Sequence, residues 1–209
     1  MKEAKMSKKE GFFIVLEGLD GAGTTTQTDE ISKYLEAKKI KAHITREPTD
    51  SMVGGLIRSL LKKHWQATSE VTQLLFAADR GIHLEKEIVP ILNKGVNVIT
   101  DRYYFSSIAY GSVDIEDKNW IKGINSRFRD PDLVIYVRVE ASEALERIEK
   151  GRYNEMELFE KKEALSKVVV AYDELAKKLD YFVTVDGSKS KEEVAEDIIA
   201  VLKDKLNLG

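Results

Sequence analysis

Phe12-Phe13-Ile14-Val15-Leu16-Glu17, running straight into Gly18-Leu19-Asp20-Gly21-Ala22-Gly23-Thr24-Thr25-Thr26, decides how this chain is read. The first part is an apolar, β-branched run that reads as a buried strand. The second is a glycine-rich turn that opens a helical pattern. Glycines let the backbone curl so that successive N–H groups point inward, and the helix start adds the positive end of its dipole. Together they form a seat for phosphate, with Gly18, Gly21, Ala22, Gly23, Thr24, Thr25 and Thr26 as the candidate contacts. Thr25 occupies the position whose hydroxyl reaches Mg²⁺. A lysine normally stands just before it, bridging the β- and γ-phosphates, and here that residue is Thr24. A turn that merely packs a strand against a helix is the plainer alternative. Strand, glycine spacing, Thr25 and helix in that order favour phosphate binding.

Outward from this loop, short apolar runs alternate with longer helical stretches. Phe12 to Glu17, Ala42 to Thr45, Val96 to Thr100, Leu133 to Val139 and Tyr181 to Val185 read as strands. Helical period runs from Thr25 to Lys39, Val71 to Asn93, Ala141 to Lys150, Leu158 to Lys178 and Glu192 to Leu206. Within the second of these, Leu74, Leu75, Ala78 and Ile82 form the expected apolar face, and Pro90 is expected to kink or end the helix. Such alternation predicts an α/β fold in three layers, a parallel sheet with helices on both faces. Residues 1–10 read as a flexible, polar start and 11–209 as a single domain. A short lid is expected near 147–157, where Gly151 to Glu157 is polar.

Composition narrows the classes. The chain of 209 residues carries a formal net charge of −3, so no broad electrostatic footprint for nucleic acid is expected. With no cysteine, disulfides, thiolate metal sites and cysteine nucleophiles are excluded. No apolar segment has the length of a membrane span, and the start lacks a signal peptide, so a cytoplasmic protein is expected. Charged residues make up 33% of the chain, a share like that of thermophile proteins, although an ordinary charged surface explains it nearly as well.

Other candidates cluster at strand ends. Arg46, after the second strand, sits where open α/β sheets bind ligands, and its planar fork suits a terminal phosphate. Phe76 and Arg80 are one helical turn apart and present a ring and a donor to a base; a core phenylalanine beside a surface ion pair is the alternative. Asp101 closes the third strand, the usual place for a carboxylate that orients Mg²⁺ through water, and Arg102 beside it is placed to neutralise phosphate. Ser107 and Tyr110 belong to an aromatic and hydroxyl mixture suited to a nucleoside. Arg147, Lys150 and Arg152 surround Gly151 and read as cations on a closing lid, or else as a solvated face. His43, His64 and His83 show no ligand spacing.

These motifs together resemble the thymidylate kinases, a P-loop nucleoside-monophosphate kinase family. The carriers are Glu17-Gly18-Leu19-Asp20-Gly21, Thr45-Arg46-Glu47-Pro48, Leu75-Phe76-Ala77-Ala78-Asp79-Arg80, Asp101-Arg102-Tyr103 with Ser107 and Tyr110, and Pro131-Asp132-Leu133. The resemblance covers Phe12 to about Gly187. It implies the P-loop NTPase fold with a five-stranded parallel sheet, Mg²⁺-dependent transfer from ATP to dTMP, and a homodimer. It further implies that Arg46 and Arg102 hold the dTMP phosphate, that Phe76 stacks on thymine and that Arg80 bonds its edge. Asp20 would lie near the sugar 3′-hydroxyl and the phosphate, and Tyr110 would crowd the 2′ position. Asp101 and Thr25 would serve Mg²⁺, and Arg147 would lie against adenine. Catalysis would fall to Asp20 and Arg102 with Lys150 and Arg152 of the lid. Two residues depart from the pattern: Thr24 replaces the lysine, and Gly111 stands where a glutamine often follows the tyrosine. The loop itself has no basic residue, as in the branch of the family whose lid supplies the positive charge.

Overall fold

Why the central strand is buried end to end follows from its neighbours. In the computed structural model, which describes residues 10–151 and 162–209, β1 (Phe13–Gly18) lies between β3 (Asn97–Asp101) and β4 (Leu133–Arg138), and every one of its residues is buried. Adding β2 (Ala42–Arg46) and β5 (Phe182–Asp186) gives a five-stranded sheet in the order β2-β3-β1-β4-β5, with every pairing parallel. Strands covered on both faces need no polar side, which is why they read as continuous apolar runs. The order reverses about β1, and the carboxyl ends of β1 and β3 open on one crevice, where such sheets bind ligands. In register, Leu16 and Arg46 both pair with Asp101.

Helices α1 (Thr24–Ala37) and α9 (Lys191–Leu206) pack together against one face of the sheet. On the other face α5 (Tyr104–Asp114) packs against α8 (Lys162–Lys178), flanked by α6 (Lys118–Asn125) and α7 (Ala141–Gly151). Helix α2 (Met52–Leu61) packs on α3 (Ser69–His83), which also touches α5. Arg152 lies outside the described residues, as does most of the segment read as a lid. Among the described residues no helix is long and apolar enough to cross a membrane.

One expectation is narrowed and one corrected. Of the two outcomes expected at Pro90, the helix is distorted and not stopped there: Leu84–Ile88 widens into a π turn and Val89–Leu92 (α4) continues behind it. Proline has no N–H to give and its ring crowds the preceding turn, so a wider turn just upstream accommodates it. The apolar face expected on α3 is also turned the other way. Leu74 and Ile82 are 49% and 40% exposed, whereas the buried side carries Thr72, Gln73, Asp79, Arg80 and His83. A buried polar face persists only where its groups find partners, and the partners here build the site.

Candidate active site

The loop between β1 and α1 takes its shape from two glycines. Gly21 and Gly23 have φ of 82° and 91°, a region that side-chain-bearing residues avoid. At Gly21 a Cβ would also lie 2.5 Å from the Ala144 carbonyl oxygen. The turn delivers Thr25 to the first turn of α1, where its hydroxyl donates to Asp101 Oδ2 at 2.6 Å. Asp101 Oδ1 is buried and receives no hydrogen bond among the described residues. One hydroxyl and one carboxylate with a spare oxygen suit Mg²⁺, which takes its remaining ligands from phosphate and water. Among the described residues no group of three His, Asp or Glu could hold a metal by itself. Thr24, beside Thr25, is 6% exposed, and its methyl approaches Gly18.

Arg102 follows Asp101 with φ of 73°, a strained backbone for an arginine. Its guanidinium donates to the Gly18 carbonyl and to Ser106 Oγ, both at 3.0 Å, and pairs with Asp20. It also lies 5.5 Å from the Tyr110 ring centroid. Burial works against its charge, but Asp20, Tyr110, Tyr172 and Asp101 outweigh that and hold its pKa well above the ordinary value. The Asp20 N–H donates to the Tyr110 hydroxyl at 3.0 Å, which ties the loop to α5.

Beneath this pair lies Glu17, fully buried at the penultimate position of β1. It accepts from Ser106 Oγ at 2.6 Å, from Tyr172 Oη at 2.8 Å and from the Tyr103 N–H at 2.9 Å. Burial pushes its carboxyl up to about 7, against the opposing pull of Arg102 and the donors. Sequence reasoning assigned Glu17 and Ser106 no role. A charged residue inside an otherwise apolar strand was the available signal, because such groups are seldom buried without a network.

Arg80 is 1% exposed. Its Nε donates to Glu47 Oε2 at 2.9 Å, Nη1 to Asn125 Oδ1 at 2.6 Å and Nη2 to Ser107 Oγ at 3.3 Å. The guanidinium also sits over the Tyr103 and Phe128 rings. Asp79, on the same side of α3, accepts from the Thr49 N–H, the Thr49 hydroxyl and Ser51, and so fixes the turn after β2.

Three cavities border these groups. One of about 270 Å³ is lined by Gly21, Gly23, Thr24, Thr25, Asp101 and Arg147, among others. A smaller one of about 120 Å³ is lined by Phe76, Gln73, Ser107 and Tyr110. Asp20 and Arg102 are the residues common to both. A third, of about 330 Å³, holds Arg46, Thr25 and Asp101. Arg46 is exposed and paired with Asp50 at 3.3 Å, and it does not border the Phe76 cavity. Arg147 donates to the Gly187 carbonyl at 2.9 Å at the edge of the loop cavity.

The family model for thymidylate kinase matches residues 16–198. A probable thymidylate kinase of Methanocaldococcus jannaschii is 43% identical over 194 residues, covering 93% of this chain and 97% of that protein. The probable thymidylate kinase of Pyrococcus abyssi is 39% identical over 201 residues, covering 94% and 98%. Among solved structures, a thymidylate kinase from Candida albicans superposes with a TM-score of 0.80 at 25% identity, covering 96% of this chain and 94% of that one.

Proposed function

This chain belongs to the thymidylate kinase family, and we propose on that premise that the cavities either side of the Asp20–Arg102 pair hold the two nucleotides. The reaction is transfer of the γ-phosphoryl group of ATP to dTMP, giving dTDP. One observation carries the division of labour: Asp20 and Arg102 line both the glycine-loop cavity and the Phe76 cavity. A donor phosphate in the first and an acceptor phosphate in the second would meet across them.

The attacking group is a phosphate oxygen of dTMP and the leaving group is ADP, so no covalent enzyme intermediate is required. Positioning and charge neutralisation do most of the chemistry. The residues of the loop, Gly18 and Gly21 to Thr26, cradle the ATP phosphates, with Arg147 beside the adenine. Thr25 and Asp101 would hold Mg²⁺, which when bound would supply positive charge to the phosphates. Arg102, held by Gly18, Ser106 and Asp20, faces both phosphates with the charge that Thr24 lacks. Phe76 supplies the ring face for thymine, Ser107 borders its edge with Arg80 behind it donating to the Ser107 hydroxyl, and Tyr110 closes the space at the 2′ carbon. Arg46 approaches the acceptor phosphate from the neighbouring cavity. The roles of Lys150 and Arg152 as lid cations rest on the sequence pattern alone.

A homodimer is the proposed assembly. Val71, Leu74 and Ile82 form an exposed apolar stripe on α3, continued by Met52 and Leu56 of α2. A second copy covering this stripe would clamp the helix whose inner face carries the base pocket. Light scattering should give twice the chain mass, and Leu74→Glu should yield monomer. A wild-type monomer at micromolar concentration would exclude the assembly.

Incubation with ATP, Mg²⁺ and a panel of monophosphates, followed by identification of the diphosphate formed, tests the whole. dTMP should give the highest kcat/KM. A purine monophosphate outperforming it about tenfold, well beyond what one lost contact explains, would overturn the acceptor assignment.

A further inference from the structure

Gln73 lies on the buried side of α3, three residues before Phe76, and is 2% exposed. It borders the Phe76 cavity, yet its Oε1 is buried and accepts no hydrogen bond among the described residues. An unpaired buried acceptor is costly, and one at the wall of a cavity calls for a partner there. Residues three apart on a helix share a face, so the ring of Phe76 and the carboxamide of Gln73 border the same space.

Across the cavity, Gly111 of α5 has an ordinary helical backbone, and what matters there is the missing side chain. A Cβ on Gly111 would come 3.2 Å from both Cδ and Nε2 of Gln73 and 3.0 Å from Ile121 Cδ1. Glycine inside a helix is unfavourable, and here it clears the room that the carboxamide fills. Nε2 has no hydrogen bond among the described residues either, so no partner holds the amide one way round and it can turn Oε1 toward the cavity.

We propose that Gln73 is a specificity-determining residue, its Oε1 accepting the ring N–H on the Watson–Crick edge of a pyrimidine stacked on Phe76. This deepens the dTMP reading and rests on it. Thymine and uracil present N3–H at that edge, whereas cytosine presents a bare N3 acceptor that would face Oε1 without a proton between them. The pocket would therefore select pyrimidine imides through the residue that Gly111 makes room for.

The test compares kcat/KM for dTMP, N3-methyl-dTMP and dCMP in wild type, Gln73→Met and Gly111→Ala. Wild type should use dTMP about 10–100-fold better than the N3-methylated nucleotide, the usual cost of leaving one buried acceptor unpaired. Gln73→Met, similar in volume but apolar, should lose about tenfold or more on dTMP and little on N3-methyl-dTMP, so the ratio collapses. Gly111→Ala should move the ratio the same way by displacing the carboxamide. An equal loss on both nucleotides, or a dTMP rate in Gln73→Met within about twofold of wild type, would overturn the assignment and mark Gln73 as packing. Should that variant fail to fold, wild type decides alone: equal use of dTMP and N3-methyl-dTMP overturns it. Diphosphate formed without sensitivity at N3 removes only this inference. No diphosphate from any monophosphate removes the kinase reading and this inference with it.

Discussion

Replacing Glu17 with glutamine isolates the effect of a carboxyl buried under the site. Glu17 is fully buried, and burial raises its pKa from the ordinary 4.5 to about 7 despite Arg102, Ser106 and Tyr172. Between those values the folded chain keeps a proton that the unfolded chain has released, so this group makes stability fall as pH rises. Above pH 7 the penalty on the ionised form levels off at about 3 kcal/mol, and from pH 5.5 to 8 it grows by about 2 kcal/mol. Glutamine keeps the shape. Its carbonyl can accept the Tyr103 N–H, and the Ser106 and Tyr172 hydroxyls can turn to accept from its NH₂. Urea unfolding followed by tryptophan fluorescence, at pH 5.5 and pH 8 for both proteins, reads the difference. The stability of Glu17→Gln relative to wild type should rise by about 2 kcal/mol between the two pH values. Parallel pH dependences would refute the reasoning and place the proton elsewhere in the network.

Arg80→Met should destabilise the fold by about 3–5 kcal/mol, because Glu47 would remain buried without the ion pair that Arg80 makes at 2.8 Å; a loss below 1 kcal/mol by urea unfolding, about what a surface pair is worth, would contradict a buried pair. Tyr110→Ala should narrow the preference for deoxyribose over ribose in TMP by a factor corresponding to about 1–3 kcal/mol. An unchanged ratio would leave Tyr110 as a structural residue, bonded to the Asp20 N–H and packed under Arg102, and not as a gate at the 2′ carbon. Thr24→Lys should change kcat little, since Arg102 already lines the same cavity. A rise of about a hundredfold, the size of one preorganised donor's contribution, would show that the natural enzyme lacks that charge.

The strands, their parallel pairing and the phosphate loop were legible because each depends on local chemistry. An apolar β-branched run has few alternatives, and glycines at Gly21 and Gly23 announce backbone that other residues avoid. Helix α6 starts on Asp117, which accepts from the Asn119 and Trp120 N–H groups, but with eight residues it offers barely two turns of helical period. Helix α2 runs unbroken through Gly54 and Gly55, a pair of residues that disfavours helix, and α5 carries aromatic and hydroxyl residues on its buried side in place of an aliphatic stripe.

By itself the sequence determined the class of fold, the loop that seats phosphate, and the identity of the residues at the strand ends. Their order along the chain is covalent, and the period of the apolar runs is a property of each segment alone. Tertiary structure decided which way α3 faces, because periodicity separates two faces of a helix without saying which meets the core. It also decided that Arg80 is spent on Glu47, Asn125 and Ser107, that Arg102 and Asp20 stand between two cavities, and that Gln73 lies over Gly111. Each of those contacts joins side chains from segments far apart in the sequence. A hydrogen bond or a shared wall exists only once the sheet has brought those segments within a few ångströms, and the low dielectric of that interior is what turns Glu17 from an ordinary carboxylate into a group that titrates near neutrality.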